Sequence, residues 1–159
     1  MIFDDVLELA RSVSHFTIAG EGNVSVRDGD AMLIKASGST LETMTDDDLV
    51  RCDLDGNAFE GEEKKPSMEV SFHAWILKTF PEINCVCHTH PTNTIKILCS
   101  GRIRDFANKR LFPDQVVRNG TKSCVVPYAT PGAPLREEIK KSVEEFIGRN
   151  GYFPKLILL

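Results

Sequence analysis

The sequence predicts an α/β fold, and three observations carry that prediction. Short strand-like stretches alternate with helix-like ones along the chain. Two strand candidates, residues 24–27 and 31–36, are joined by Asp28-Gly29-Asp30, which is hairpin chemistry. No repeat, low-complexity block or linker interrupts the 159 residues, so residues 1–159 are expected to form a single domain. A chain of this length buries roughly two thirds of its unfolded surface, enough for a core without disulfides or a structural metal. A metal here would therefore point to chemistry.

The elements follow in order. Residues 3–14 place Val6, Leu7, Ala10 and Val13 on one helical face, and the helix ends before the loop Ala19-Gly20-Glu21-Gly22-Asn23. The hairpin comes next, then the tight turn Ser37-Gly38-Ser39. Thr45 before Asp46-Asp47-Asp48 reads as an N-cap with acids in the first turn, so this acidic run serves a helix end rather than a metal. A hairpin-like stretch at 49–59 and a charged loop at 60–65 lead to a helix starting at Pro66-Ser67, with Ser67 as N-cap. Phe72, Trp75, Ile76 and Phe80 fall at helical spacing, and Pro81 closes that helix. Residues 83–90 are strand-like, Pro91-Thr92-Asn93 opens a helix to about Ser100, and residues 123–126, 135–147 and 155–159 predict a strand, a helix and a terminal strand.

Composition narrows the function. Hydrophobic residues at 42% and charged ones at 26% are globular values. A net charge of −4 lacks the basic surplus that duplex phosphates favour, so no nucleic-acid partner is expected. No apolar run approaches the roughly 20 residues of a membrane span, so no membrane partner is expected and a cytoplasmic location is. The five cysteines form no CxxC pair and are odd in number, which favours reduced thiols; Cys85 and Cys87 are expected to be buried in the core.

The sharpest chemical feature is Cys85-Val86-Cys87-His88-Thr89-His90. Alternate side chains of an extended chain share a face, so His88 and His90 can meet one metal ion, while Cys85 and Cys87 point the other way. The spacing alone leaves a metal pair and ordinary surface or core histidines both open. The second feature is Pro66-Ser67-Met68-Glu69 with His73 four residues on; Glu69 can serve the helix dipole, and His73 can be its i,i+4 neighbour or a core histidine. Several loops rich in N–H donors together with a histidine pair suit a small phosphorylated substrate. Lys35 is expected to be solvated rather than part of a site.

Four ordered runs resemble the class II aldolase/adducin family: Gly22-Asn23-Val24-Ser25-Val26-Arg27, Lys35-Ala36-Ser37-Gly38, Pro66-Ser67-Met68-Glu69 with His73, and His88-Thr89-His90-Pro91. A weaker echo lies at Pro127-Tyr128-Ala129-Thr130-Pro131-Gly132. The family includes fuculose-phosphate and rhamnulose-phosphate aldolases and ribulose-phosphate 4-epimerase. The resemblance implies a three-layer α/β/α fold around a mainly antiparallel sheet, and a homotetramer with sites near subunit interfaces. It makes His88 and His90 ligands of Zn2+, Glu69 the catalytic acid/base, and Gly22, Asn23, Ser37, Gly38 and Ser67 the pocket for a sugar-phosphate substrate. The implied reaction is retro-aldol cleavage of a ketose phosphate or related sugar phosphate by a zinc-dependent lyase.

Two departures stand beside it. Met68 occupies a place where the aldolases often carry a second serine, removing one hydroxyl from the phosphate pocket. In the family a third zinc histidine follows a hydrophobic strand; here residues 156–159 supply the strand and the sequence stops, so the domain is expected to be C-terminally incomplete. Glu69, rather than the aspartate of the epimerase pattern, favours an aldolase. The alternatives are an epimerase or oxo-acid phosphate decarboxylase of the same superfamily, a non-catalytic adducin-like interaction module, and a structural zinc site using Cys87.

Overall fold

A computed structural model describes residues 2–18 and 21–159, so Ala19 and Gly20 of the predicted loop lie outside the described residues. The chain divides into two compact units, Met1–Thr92 and Asn93–Leu159.

The first unit is built on a four-stranded antiparallel sheet of order β3-β2-β1-β4, from β1 (Asn23–Asp28), β2 (Ala31–Lys35), β3 (Leu49–Asp53) and β4 (Cys85–His88). Asp28 pairs with Ala31, so Gly29-Asp30 make the two-residue hairpin turn that the sequence predicts. Strand alternation sends Val24, Leu33 and Leu49 to one face, where they meet Val6, Leu7 and Ala10 of α1 (Ile2–Ser14). It sends Met32, Ile34, Val50 and Cys52 to the other, against Ala74 and Leu77 of α2 (Val70–Thr79). All five residues of β2 are buried because a helix covers each face, which is why the strand is apolar on both faces up to Lys35. Helix, sheet and helix form the expected three layers within this unit.

In the second unit, α6 (Ala133–Asn150) is the crossover between β5 (Cys124–Val125) and β6 (Ile157–Leu158), which pair in parallel. Its buried residues Leu135, Ile139, Val143 and Phe146 recur at helical spacing, and Gly151 ends it in the left-handed conformation. Helix α3 (Thr92–Cys99) starts where Pro91-Thr92 predicts. Two short helices, α4 (Ile103–Asn108) and α5 (Pro113–Asn119), have no counterpart in the prediction, since six or seven residues are too few to display a period. Arg110 fixes the turn between them by donating to the carbonyls of Phe106, Ala107 and Gly120 and to the Ser123 hydroxyl.

Several expectations need correction. The acidic run is a single 3-10 turn, Asp46–Asp48, whose Thr45 N–H donates to the Asp48 carboxylate; it does cap a turn, but no α-helix follows. Ser67 is not an N-cap: its backbone N–H donates to Lys35 O beside a bridge between Ala36 and Pro66, and the helix begins at Val70 with Glu69 in the capping position. Strand pairing thus claims residues that local capping chemistry would assign to a helix. Lys35 is 4% exposed rather than solvated, its Nζ donating to Ala36 O and Ser39 O. Burial lowers its pKa, against an opposing pull from Asp48. Cys52 and Cys124 are buried, but Cys85 and Cys87 are exposed, because β4 is an edge strand of the sheet; all five cysteines are free.

Candidate active site

Strand β1 and helix α2 run in matched steps. Two residues along a strand advance about 6.6 Å, and four along a helix about 6.0 Å, so alternate strand residues can meet every fourth helix residue. Asn23, Ser25 and Arg27 of β1 meet positions 69, 73 and 77. The Asn23 amide donates to Glu69 Oε2 at 2.7 Å, Ser25 Oγ lies 2.7 Å from His73 Nδ1, and Arg27 Nη2 donates to the carbonyls of Leu77, Phe80 and Ile83. The guanidinium thereby satisfies carbonyls at and beyond the helix C-terminus, where positive charge is favoured. This ladder fixes where Glu69 stands.

The sheet then delivers the histidines. Asn23 pairs with His88 across β1 and β4, so His88 stands beside Asn23 and its Nδ1 makes a short contact with Glu69 Oε2. His90 lies beyond the strand's last residue, held by its backbone N–H on Phe16 O at 3.1 Å. The Nε2 atoms of His88 and His90 converge to 3.1 Å, while His90 Nδ1 lies 2.7 Å from Glu21 Oε2. Each imidazole thus turns Nδ1 to a carboxylate and Nε2 to the other imidazole.

A carboxylate only accepts hydrogen bonds. Facing an ionised carboxylate each Nδ1 donates; in the neutral rings the two Nε2 lone pairs then face one another, an arrangement that a cation, a metal ion or a proton, relieves. Two nitrogens on a tetrahedral zinc at about 2.0–2.1 Å stand about 3.3 Å apart, close to the separation observed. The pair fits zinc as two of its ligands. Among the described residues, no group of three or more His, Cys, Asp or Glu side chains is arranged to hold a metal ion. Cys87 faces the opposite side of β4 from His88, so the geometry gives no support to a site using Cys87.

Glu69 is about 15% exposed at its side chain. Burial, the largest single influence, raises its pKa, but hydrogen bonds from His88 and Asn23, together with the positive charge of His88 when that ring is protonated, outweigh it and hold the carboxyl below its ordinary range. His73 is fully buried and driven down to about 3, by burial first and then by repulsion from His88, with Glu69 opposing. It is a neutral core histidine whose Nε2 has no hydrogen-bond partner among the described atoms.

The remaining predicted residues form a second cluster and a support. Ser37 N donates to Lys65 O and Ser67 N to Lys35 O, so the exposed Ser37-Gly38 turn is clamped beside Ser67. Gly38 has φ 85°, and a Cβ there would meet nothing within 4 Å, leaving open approach to its backbone. Ser67 Oγ accepts from Glu69 N at 3.3 Å, which links this turn to the carboxylate. Gly22 differs: a Cβ there would stand 2.7 Å from His88 O, so its glycine permits close passage of the loop under β4. Asn23 is 5% exposed; one end of its amide is occupied by Glu69 and its Oδ1 has no hydrogen-bond partner among the described residues. Met68 is 75% exposed beside Glu69.

The profile described as "Class II Aldolase and Adducin N-terminal domain" matches residues 5–155. The chain belongs to the class II aldolase and adducin family. It is 34% identical over 139 residues to a 3-oxo-tetronate 4-phosphate decarboxylase of Haemophilus influenzae, covering 84% of this chain and 65% of that protein. It is 37% identical over 75 residues to an L-fuculose phosphate aldolase of Methanocaldococcus jannaschii, covering 47% of this chain and 40% of that one. The solved structure of an L-fuculose 1-phosphate aldolase superposes with a TM-score of 0.74 at 25% identity, over 90% of this chain and 67% of that chain. This chain therefore spans less than two thirds of the length of the Haemophilus influenzae and Methanocaldococcus jannaschii proteins.

Within this family member, sequence reasoning missed Glu21 and the Ser25–His73 pair. Glu21 sits between glycines in a loop whose residue types signal only a turn, and its partner is 69 positions away. Ser25 and His73 lie inside quoted motifs, but only the match of strand and helix steps reveals that they touch.

Proposed function

We propose that this chain is the histidine-pair region of a zinc-dependent lyase that cleaves a carbon–carbon bond of a ketose phosphate, or related sugar phosphate, by a retro-aldol reaction. The observation that supports it above others is the convergence of His88 Nε2 and His90 Nε2 beside the buried carboxylate of Glu69. His88 and His90 would hold the zinc. A bound zinc supplies Lewis-acid polarisation of the substrate carbonyl and stabilises the negative charge left when the bond breaks.

The protein's own groups supply the rest. Glu69 Oε2, ionised at neutral pH, takes the proton of the substrate hydroxyl whose carbon leaves as the aldehyde, and later returns a proton to the enediolate carbon. The Asn23 amide and His88 Nδ1–H hold that oxygen in place until substrate displaces one of them. The phosphate would sit at the open backbone of Ser37 and Gly38, with the Ser67 hydroxyl free to donate because among the described residues it accepts from Glu69 N and donates to none. Buried Lys35 braces this turn from beneath through Ala36 O and Ser39 O. Gly22 shapes the loop that carries Asn23 and Glu21.

A second reading has its own support. The 34% match to a decarboxylase extends over 84% of the chain, and loss of CO2 from a 3-oxo acid leaves the same kind of enolate for the same groups to stabilise. Zinc-loaded protein assayed against a panel of ketose 1-phosphates and 3-oxo-tetronate 4-phosphates separates the two by product, aldehyde or CO2. Turnover of the ketose phosphates that falls about 10²- to 10⁴-fold in Glu69→Gln is expected for a lost acid/base group. Turnover of the 3-oxo acids alone transfers the assignment to the decarboxylase. No turnover of either set, with unaltered zinc content in His88→Ala, ends the enzymatic reading in favour of an interaction module. A homotetramer and a cytoplasmic location belong to the same proposal and are checked by sedimentation and fractionation.

A further inference from the structure

We propose that Glu21 is a positioning residue for His90, fixing which of its ring nitrogens faces the metal. The inference rests on the reading that His88 and His90 hold a metal, and deepens it. His90 is the less constrained histidine of the pair. His88 is the last residue of β4, paired to β1 and abutting the Glu69 carboxylate, which Asn23 also holds. His90 lies past the strand, and its ring has two orientations that would each leave a nitrogen toward His88. The contact that selects between them is Glu21 Oε2 on Nδ1 at 2.7 Å.

Its position follows from the loop. Phe16 O receives the His90 N–H, Glu21 N donates to Ile18 O at 3.0 Å, and Gly22 passes so near His88 O that no larger residue fits. The residue just before Gly22 is therefore held beside the 88–90 segment, and here it is a carboxylate. Because a carboxylate only accepts, it keeps a proton on Nδ1 and so turns Nε2, the lone-pair nitrogen of the neutral ring, toward His88 Nε2 at 3.1 Å. Glu21 stands behind the ring, on the side away from the converging nitrogens, so it acts through His90 and does not touch the reacting atoms. A carboxylate on the far nitrogen of a ligating histidine fixes the tautomer and raises the basicity of the donor.

The test has two readouts besides activity. In 15N imidazole spectra of the metal-free chain, His90 should be the Nδ1–H tautomer and should move to the Nε2–H form in Glu21→Ala. In zinc titrations against a chromophoric chelator, Glu21→Ala should weaken binding about tenfold, the low end of the range for lost partners of metal ligands, because the Glu21 side chain is 55% exposed. Glu21→Gln keeps an acceptor for Nδ1–H and should retain both the tautomer and most of the affinity. An unaltered His90 tautomer together with zinc affinity within twofold in Glu21→Ala overturns the proposal. If the unsubstituted chain binds no zinc, the metal reading fails alone, and the tautomer spectra still decide the role of Glu21.

Discussion

Glu69 and His73 show how position on one helix gives two titratable groups opposite duties. Four residues apart, both are drawn toward β1, but the Glu69 carboxylate at the helix start keeps two polar neighbours, Asn23 and His88, while the His73 ring one turn deeper has Ser25 alone among the described residues. Burial therefore neutralises the histidine and leaves the carboxylate charged. The consequence for stability has a definite sign. An unfolded histidine takes up a proton below about pH 6.5, whereas folded His73 does so only near 3. Between those values the unfolded state binds more protons, so stability falls as pH drops, by up to about 1.4 kcal/mol per unit from this residue. Urea midpoints between pH 7 and 5 should decline less steeply in His73→Gln than in the unsubstituted chain. Staying above pH 5 keeps out Glu69, whose lowered pKa adds loss in the same direction only below its unfolded value near 4.5.

At the scale of elements, the register between β1 and α2 carries the site. Arg27 anchors the far end of α2, so Arg27→Ala should release its last carbonyls and loosen Glu69 about 8 residues upstream. Stability should fall by roughly 1–3 kcal/mol, the range for charged hydrogen bonds lost from partly buried groups, measurable by chemical denaturation. Gly22→Ala tests the passage under β4. Its φ of 85° and the 2.7 Å approach to His88 O mean that the variant must strain the loop or displace the strand end. A loss of at least about 1–2 kcal/mol is expected from the backbone conformation alone, with zinc affinity reduced as His88 shifts. The failed N-cap at Ser67 is instructive here. Ser67 followed by Glu69 reads locally as an N-cap with an acid in the first turn, but Ser67 N is used by Lys35 O, and a nonlocal bridge outranks a local cap.

For the molecule as a whole, burial is uneven among its elements. Strand β2 is buried along its full length, whereas α3 and α5 contain no buried residue. Amide exchange of the chain should be slowest in β2 and its partners in β1 and β3, and α3 and α5 should exchange by local opening at far lower free energy. The contrary order, with α5 protected as strongly as β2, would contradict the burial described here.

Patterns with short range were determined by the sequence itself: the α1 face, the Gly29-Asp30 hairpin, the spacing of His88 and His90, and the α6 stripe. Each depends on a period or a turn that a few adjacent residues express. The antiparallel sheet and the family were likewise within reach, because four motifs occur in order. Only the tertiary structure decided that Lys35 is buried, that Cys85 and Cys87 are exposed, that Ser67 belongs to a bridge, and that Glu21 meets His90. Those outcomes depend on what packs against a residue from 20 to 70 positions away, and no local pattern records it. The site is legible as residue types in the sequence; its geometry arises from the matching advance of a strand and a helix.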